Sequence, residues 1–445
     1  MRRLAYVTEI AETTSDARGP RVHRAWWVAG VSCLAIIAAG TFTTMSGLLV
    51  DPLHTEFDWS RGTIGIAVSV NMVLYGLAAP FAAALMDKVG IRRVIAGALL
   101  IIAAGSSLTT IMTSSWQLVL FWGFLVGLGC GSVTMVFAAT VANRWFVKRR
   151  GLVTGLLTAA SVFGQFVFLP VLSSIIDHYQ WRPAIMTIAL TALIVVPFVW
   201  LLLRDHPADV GITAFGAREF APKPSPVRGV ARRTVRVLGT SVRTMPFWLL
   251  ALTFAICGAT TNGIMWSHFA PAAHDHGMPM TVAASMLAMI GIFNVVGTIS
   301  SGWLTDRVDP RRLLCIFFAL RGVSLLLLPI LMTSTVQPQM IAFVILFGIL
   351  DVATVPPTIA LCREFYGEDS AIVFGWINAS HQVGAGLMAF LGGVARDTTG
   401  SYTVVWIVAG SLCEAAALIA LTIVRRTSSA GVLRTPQKSP DRGPF

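Results

Sequence analysis

What most limits the fold of this chain is the recurrence, along 445 residues, of runs of about 20 mostly apolar residues. That is the length a helix needs to cross a bilayer. Twelve such runs are separated by polar turns, at 27–49, 62–85, 94–112, 117–141, 152–176, 183–203, 246–269, 280–304, 313–332, 339–361, 370–393 and 402–424. Composition agrees: 55% of residues are hydrophobic, 12% are charged and the mean hydropathy is +0.74. A soluble domain carries about 25% charged residues, and half of that cannot cover a water-soluble fold of this size. Strict period-2 alternation is absent, which argues against a transmembrane barrel. The first run is longer than a signal-peptide core and lacks a small-residue cleavage site, so it reads as a retained helix. The expected fold class is an all-α membrane protein with twelve transmembrane helices.

The 33 Lys and Arg residues give orientation. Arg61, Arg182 and Arg396 fall on one side of the runs, Arg321 falls inside one, and the other 29 fall on the opposite side. Basic residues collect on the cytoplasmic face, so both termini are expected in the cytoplasm. The net charge of +12 is then a topological signal and implies no nucleic acid partner. The six cysteines include no CxxC pair, so they read as small core residues rather than zinc ligands or a disulfide framework. No metal or other cofactor is expected.

Residues 204–245 are the one long polar stretch between runs, with four prolines and eight bases. They read as a linker. The expected organisation is a cytoplasmic tail (1–26), a six-helix half (27–203), a cytoplasmic linker (204–245), a second six-helix half (246–424) and a cytoplasmic tail (425–445). An internal repeat supports two halves. Asp87-Lys88-Val89-Gly90-Ile91-Arg92-Arg93 follows the second run, and Asp306-Arg307-Val308-Asp309-Pro310-Arg311-Arg312 follows the eighth, 219 residues later. Parallel halves of this kind place a substrate site near the bilayer midplane.

These loops resemble the signature of the major facilitator superfamily, roughly Gly-x-x-x-Asp-Arg/Lys-x-Gly-x-Arg-Arg. The second copy keeps Gly302 and Asp306-Arg307, whereas the first has Ala83 at the glycine position and Ile91 where a base is usual. The resemblance spans residues 26–425. Two further stretches, Phe57-Asp58-Trp59-Ser60-Arg61 and the run from Arg144 to Gly155, resemble the monocarboxylate porter and oxalate–formate antiporter branch. The resemblance implies the major facilitator fold and alternating access. It also implies that Asp87, Arg92, Arg93, Gly302, Asp306, Arg307, Arg311 and Arg312 form a gate motif latching one conformation. A solvated basic loop is the competing reading.

Charge inside a bilayer is costly and usually functional. Counted from the cytoplasmic ends of their runs, Arg321, Asp351, His381 and Glu414 share one layer of the second half. Asp351 and His381 are the proton-coupling candidates, with Arg321 as partner; a static buried network is the alternative. Arg321 and Glu414 fall on runs that are peripheral in the family fold. Polar stripes suggest a largely neutral cavity: Thr41 and Thr44, Ser161 and Gln165, Asn262 and Trp266, Asn294 and Thr298, Asn378 and Gln382. Asn71 and Tyr75 read instead as interhelical glue. Gly123, Gly127 and Gly131 form a doubled GxxxG for close helix packing, and Pro356-Pro357 should kink the tenth run.

The monocarboxylate branch commonly holds a carboxylate with an arginine on its eighth helix. Here no Lys or Arg lies between Met280 and Trp303, so a neutral, zwitterionic or aromatic metabolite fits as well as an organic acid. The expected activity is secondary active transport of a small organic solute across the cytoplasmic (inner) membrane, coupled to H+, by a monomer in the lipid bilayer. The expectation is that the chain is not an enzyme. His274-Asp275-His276 is the only stretch suggesting a membrane-embedded enzyme, and its spacing fits a surface loop better than a metal site.

Overall fold

The computed structural model describes residues 23–133, 135–222 and 229–423. Its helices are α1 (Arg24–Leu48), α2 (Val50–Phe57), α3 (Arg61–Val89), α4 (Ile91–Thr109), α5 (Ser115–Leu118), α6 (Gly127–Ser132), α7 (Met135–Trp145), α8 (Arg150–Tyr179) and α9 (Trp181–Leu202). Then come α10 (Val230–Ser241), α11 (Met245–Gly258), α12 (Trp266–Asp275), α13 (Met280–Thr305), α14 (Pro310–Leu331), α15 (Pro338–Asp351), α16 (Val355–Tyr366), α17 (Ser370–Thr399) and α18 (Thr403–Thr422). Among the described residues, nine segments are long and apolar enough to cross a membrane; one of them, Pro338–Arg396, runs 59 residues and carries both the tenth and the eleventh expected runs. The chain divides into two compact units, Met1–Tyr75 with Leu85–Arg228, and Gly76–Ala84 with Gly229–Phe445.

Local chemistry explains the turns. In the 57–61 stretch, Asp58 takes a left-handed conformation (φ 56°) that ends α2, and the Ser60 side chain accepts from the Thr63 amide and starts α3. The rings of Phe57 and Trp59 stack at 4.5 Å, and the His54 ring meets the Trp59 carbonyl at 2.7 Å. Trp145 and Phe146 are buried, and Phe146 packs edge-on against Trp26. Both branch-like stretches therefore build turns and packing.

In the first unit α1 packs on α8 and α4 on α9; in the second, α11 packs on α17, α13 on α15 and α14 on α18. Apolar contacts alone do not drive helices together in lipid, so close backbone approach matters. Gly123 and Gly127 lie against Ala67 and Asn71 of α3, and a Cβ at Gly127 would stand 2.9 Å from the Asn71 Cα. Asn71 then donates to the Trp122 carbonyl at 2.8 Å, the interhelical glue that its position suggested. In the second unit Gly258 meets the His381 backbone, Gly297 the Ile349 backbone, and Gly322 lies beside Gly410.

Four sequence expectations need correction. The fourth run is not one helix: residues Val119–Val126 are a π-helix and the chain breaks at Val133 (φ −108°, ψ 40°) before α7. The tenth run is broken outright at Val352 rather than kinked at its prolines, and Pro356 and Pro357 sit in the first turn of α16, where a missing N–H costs nothing. The seventh run passes through a π-helix, Ala259–Met265, and continues as α12 to Asp275. His274-Asp275-His276 is thus a helix end, not a mobile loop. Residues 204–245 are not a plain linker, because they hold a 3₁₀ turn (Pro207–Val210), a bridge between Phe146 and Phe215, and the amphipathic helix α10.

The α13–α15 contact yields a prediction. Gly297→Ala drives a Cβ into the Ile349 carbonyl, whereas Gly30 has nothing within 4 Å. Gly297→Ala should cost about 1–3 kcal/mol and lower the melting temperature of the purified protein, while Gly30→Ala leaves it unchanged.

Candidate functional site

The second unit contains a buried polar cluster built around the break at Val352. α15 ends at Asp351, so its last carbonyls lose their helical donors and its C-terminus carries partial negative charge. Arg321, fully buried on α14, supplies what is missing: its Nη2 donates to the carbonyls of Leu350 and of Asp351, the latter at 2.6 Å. Nη1 donates to the Cys257 Sγ at 3.3 Å, and that sulfur lies 3.2 Å from the Thr354 hydroxyl. Ser301 on α13 donates to the carbonyl of Ala353 at 2.5 Å. A buried side-chain charge thus supplies donors to an interrupted helix, while its own buried Nε has no hydrogen-bond partner.

The Asp351 side chain stands apart from this arrangement. It is 1% exposed. Its Oδ2 accepts from Trp266 Nε1 at 3.1 Å and from Asn294 Nδ2 at 2.9 Å, while its buried Oδ1 has no hydrogen-bond partner. Asn294 is oriented by Thr298, whose hydroxyl lies 3.0 Å from Asn294 Oδ1 and also donates to the Asn294 carbonyl. The π-helix before Trp266 changes the register of the run just where the indole must reach Asp351. Arg321 therefore meets Asp351 through its backbone, and leaves the carboxyl to neutral donors.

The structure gathers Asp351, Arg321, Trp266, Asn294 and Thr298. It does not hydrogen-bond His381 to Asp351. His381 lies on α17 with its ring 5.1 Å from Phe254, and its buried Nδ1 has no partner. Asn378, one turn earlier, is 3% exposed and its Nδ2 is likewise unpartnered; Gln382 is half-buried. Asn262 is exposed, and Ser161 is half-buried in the first unit. The side chains of Thr41, Thr44 and Gln165 lie outside the described residues. Glu414 is half-buried on α18, with Oε1 against Gly322. A separate surface groove of about 470 Å³, lined by Thr110, Arg182, Pro183, Met186, Thr187 and Leu190, includes no residue nominated from sequence. Cys257 was read as core packing; its contact with Arg321 has no signature in sequence spacing.

The motif loops build parallel constellations in the two units. In the first, Asp87 pairs with Arg144, the Arg92 amide donates to Asp205 Oδ1 at 2.8 Å, and the Arg92 guanidinium lies 4.3 Å from the Trp200 ring. Gly90 (φ 97°) is packed against the Asp205 carboxylate, so no side chain fits there. In the second, Arg311 binds Glu364 at 2.6 Å and the Ile423 carbonyl at 2.6 Å, and Asp309 caps the Arg311 amide. Arg307 covers the Trp303 ring at 3.8 Å, Gly302 is buried, and Arg93 and Arg312 are exposed. At the opposite helix ends, Arg182 binds Glu56 at 2.6 Å and Arg396 binds Asp275 through both oxygens, at 2.6 and 3.0 Å. Sequence reading missed Arg144, Asp205, Glu364, Glu56 and Asp275. The 219-residue offset carries a signal for several, since it maps Glu56 onto Asp275 and Arg144 onto Arg363.

Two predictions follow from this geometry. Arg321→Met leaves the Leu350 and Asp351 carbonyls without donors and should cost about 2–5 kcal/mol, seen as a fall in melting temperature and folded yield. At Glu56, burial raises the carboxyl, but hydrogen bonds from Arg182 and Trp181 outweigh it and hold the group below its ordinary 4.5. The pair therefore stabilises the protein above that value and is lost as pH falls through the lowered one. Glu56→Gln should lower the melting temperature near neutral pH, flatten its fall on the acid side and leave the acid extreme little changed.

A model of the family described as Major Facilitator Superfamily matches residues 31–308 and 256–443. Monocarboxylate transporter 13 of Rattus norvegicus is 27% identical over 374 residues, covering 82% of this chain and 81% of the relative. The uncharacterized MFS-type transporter YcxA of Bacillus subtilis is 24% identical over 390 residues, covering 85% and 90%. Among solved structures, the E. coli fucose:proton symporter FucP aligns with a TM-score of 0.65 at 17% identity, covering 89% of this chain and 98% of that one. The xylose symporter XylE in a double-Trp mutant aligns with a TM-score of 0.70 at 14% identity, covering 91% and 96%. Both structural likenesses show the fold.

Proposed function

Because the chain belongs to the Major Facilitator Superfamily, an integral multi-pass membrane family, we propose that it is a secondary active transporter of a small organic solute, coupled to H+ and working by alternating access. The relatives named as monocarboxylate transporters favour an organic acid. Against that, no cationic side chain lies on α13 between Met280 and Trp303, and Arg321 is engaged with backbone and sulfur. A neutral or aromatic metabolite is the second reading. The proposal includes the inner membrane, cytoplasmic termini, the domain boundaries given above, a monomer and no enzymatic role.

The observation that carries proton coupling is the Asp351 carboxyl. It is buried, fixed through one oxygen by neutral donors, and unpartnered at the other. Gain or loss of a proton there changes a buried charge by a full unit beside a helix break. Such a change shifts a conformational equilibrium only if the two states hold the charge differently, and an interrupted helix supplies a joint that can do so. His381 extends the reading as a second titratable group with a spare ring nitrogen. The motif loops, including Asp87 and Asp306, are assigned the gating role.

The test is transport in vesicles under an imposed pH gradient, with a panel of labelled carboxylates, amino acids and aromatic metabolites. Asp351→Asn should abolish pH-driven accumulation while leaving solute exchange within about threefold of the wild type. Unchanged accumulation in that variant overturns the assignment. Trp266→Phe removes one donor from Oδ2 and should shift the pH dependence of uptake without abolishing it.

A further inference from the structure

Helix α10 has two distinct faces. Thr234, Val237 and Ser241 are buried, and Trp376 Nε1 donates to the Thr234 carbonyl at 3.3 Å. Arg233 turns to the same side and binds Asp369 at 2.7 Å, and beyond the helix Thr244 and the Tyr366 hydroxyl lie 2.7 Å apart. α10 is therefore fastened to the second unit. The other face carries Arg232, Val235 and Arg236, spaced at i, i+3 and i+4, and Arg243 follows two residues past the helix end; all four are exposed. Val235 is 57% exposed, Met245 67% and Trp248 56%. Trp248 Nε1 donates to the Val242 carbonyl at 2.7 Å, which satisfies the polar edge of the ring and leaves its apolar face outward.

We infer that this face of α10, with Arg232, Arg236, Arg243, Val235 and Trp248, binds the headgroups of anionic phospholipids at the membrane surface. A merely solvated basic helix would not need exposed apolar side chains, yet Val235 stands exposed between Arg232 and Arg236, and Met245 and Trp248 are exposed just after Arg243. Arginines above an apolar edge match a lipid surface, phosphate outward and acyl chains inward. Location points the same way: Trp248 lies in the first turn of α11, which opens the span Met245–Asp275, and indole rings favour that depth. Arg233 marks the contrast, since it is spent on Asp369 while the other three carry no ion pair among the described residues. The lipid would hold α10 by charge, so that the surface charge of the bilayer acts on this helix of the second unit directly.

The full chain is reconstituted in vesicles of equal phosphatidylglycerol and phosphatidylcholine, with brominated chains on one lipid at a time. The Trp248 signal is taken as the difference between the protein and W248F. Brominated phosphatidylglycerol should quench Trp248 as though enriched at least about fivefold, the factor one basic residue confers near an anionic surface, and the enrichment should fall with added salt. It should vanish in R232Q/R236Q/R243Q, a variant that removes no packing contact. Equal quenching by the two lipids, or a preference surviving in the triple variant, overturns the proposal. So does the absence of quenching by either lipid, which would leave the face open to a soluble partner.

Discussion

The second unit depends on the contact between Arg321 and the broken end of α15. A guanidinium buried in an apolar bundle costs several kcal/mol unless its donors are used, and a helix that stops inside that bundle strands its last carbonyls. Each problem answers the other when Nη2 reaches the carbonyls of Leu350 and Asp351. Since the cation neutralises a helix terminus rather than an acid, Asp351 keeps its carboxyl for Trp266 and Asn294. The break, the buried cation and the isolated acid are one structural unit, and the acid could not be so isolated if the helix ran on.

The break recurs at the same place in both halves of the sequence. Val133 and Val352 are 219 residues apart, with φ near −108° and −109°. Yet the charge belongs to the second copy alone: the same offset carries Arg321 onto Ile102 and Ser301 onto Ala82. The two copies thus share the interruption, and only the second surrounds it with a buried cation and a serine. The outer ion pairs went the other way. Glu56–Arg182 and Asp275–Arg396 keep the same chemistry in both units, as expected of contacts that hold each unit together rather than distinguish them.

Much of the fold was legible because it rests on periodic or repeated signals. Most of the expected apolar runs fall on helix, although the fourth and tenth are interrupted, the Asp87-Lys88 and Asp306-Arg307 motifs lie at helix ends, and Asn71 bridges helices as its stripe suggested. What escaped depends on backbone events that hydropathy does not record. A π-helix and an α-helix present the same apolar composition, so Val119–Val126 and Ala259–Met265 left no trace in the pattern. The prolines at 356 and 357 pointed to the right neighbourhood for the wrong reason, because proline is tolerated in the first turn of a helix and the break precedes it. Of the candidate site, Asp351, Arg321, Trp266, Asn294 and Thr298 came from polarity at depth. The role of Arg321 toward carbonyls rather than the carboxylate did not, since spacing ranks side chains by depth and cannot say which atom they meet.

This distinction bears on what kind of solute the site suits. An arginine locked to a helix end is a poor ligand for a substrate carboxylate: to release it, the protein must strand two carbonyls and a charge together. The remaining polar atoms of the cluster are neutral donors and acceptors, apart from the acid itself. Unpartnered Asn378 Nδ2 and His381 Nδ1 on α17 add a donor and a titratable nitrogen. On the proposed reading, such a set would discriminate by hydrogen-bond geometry, which strongly rejects solutes that leave a buried polar atom unsatisfied. The cost of moving Arg321 is therefore a physical argument against Arg321 as a solute ligand, and under the proposed function it leaves Asp351 as the group whose charge would vary.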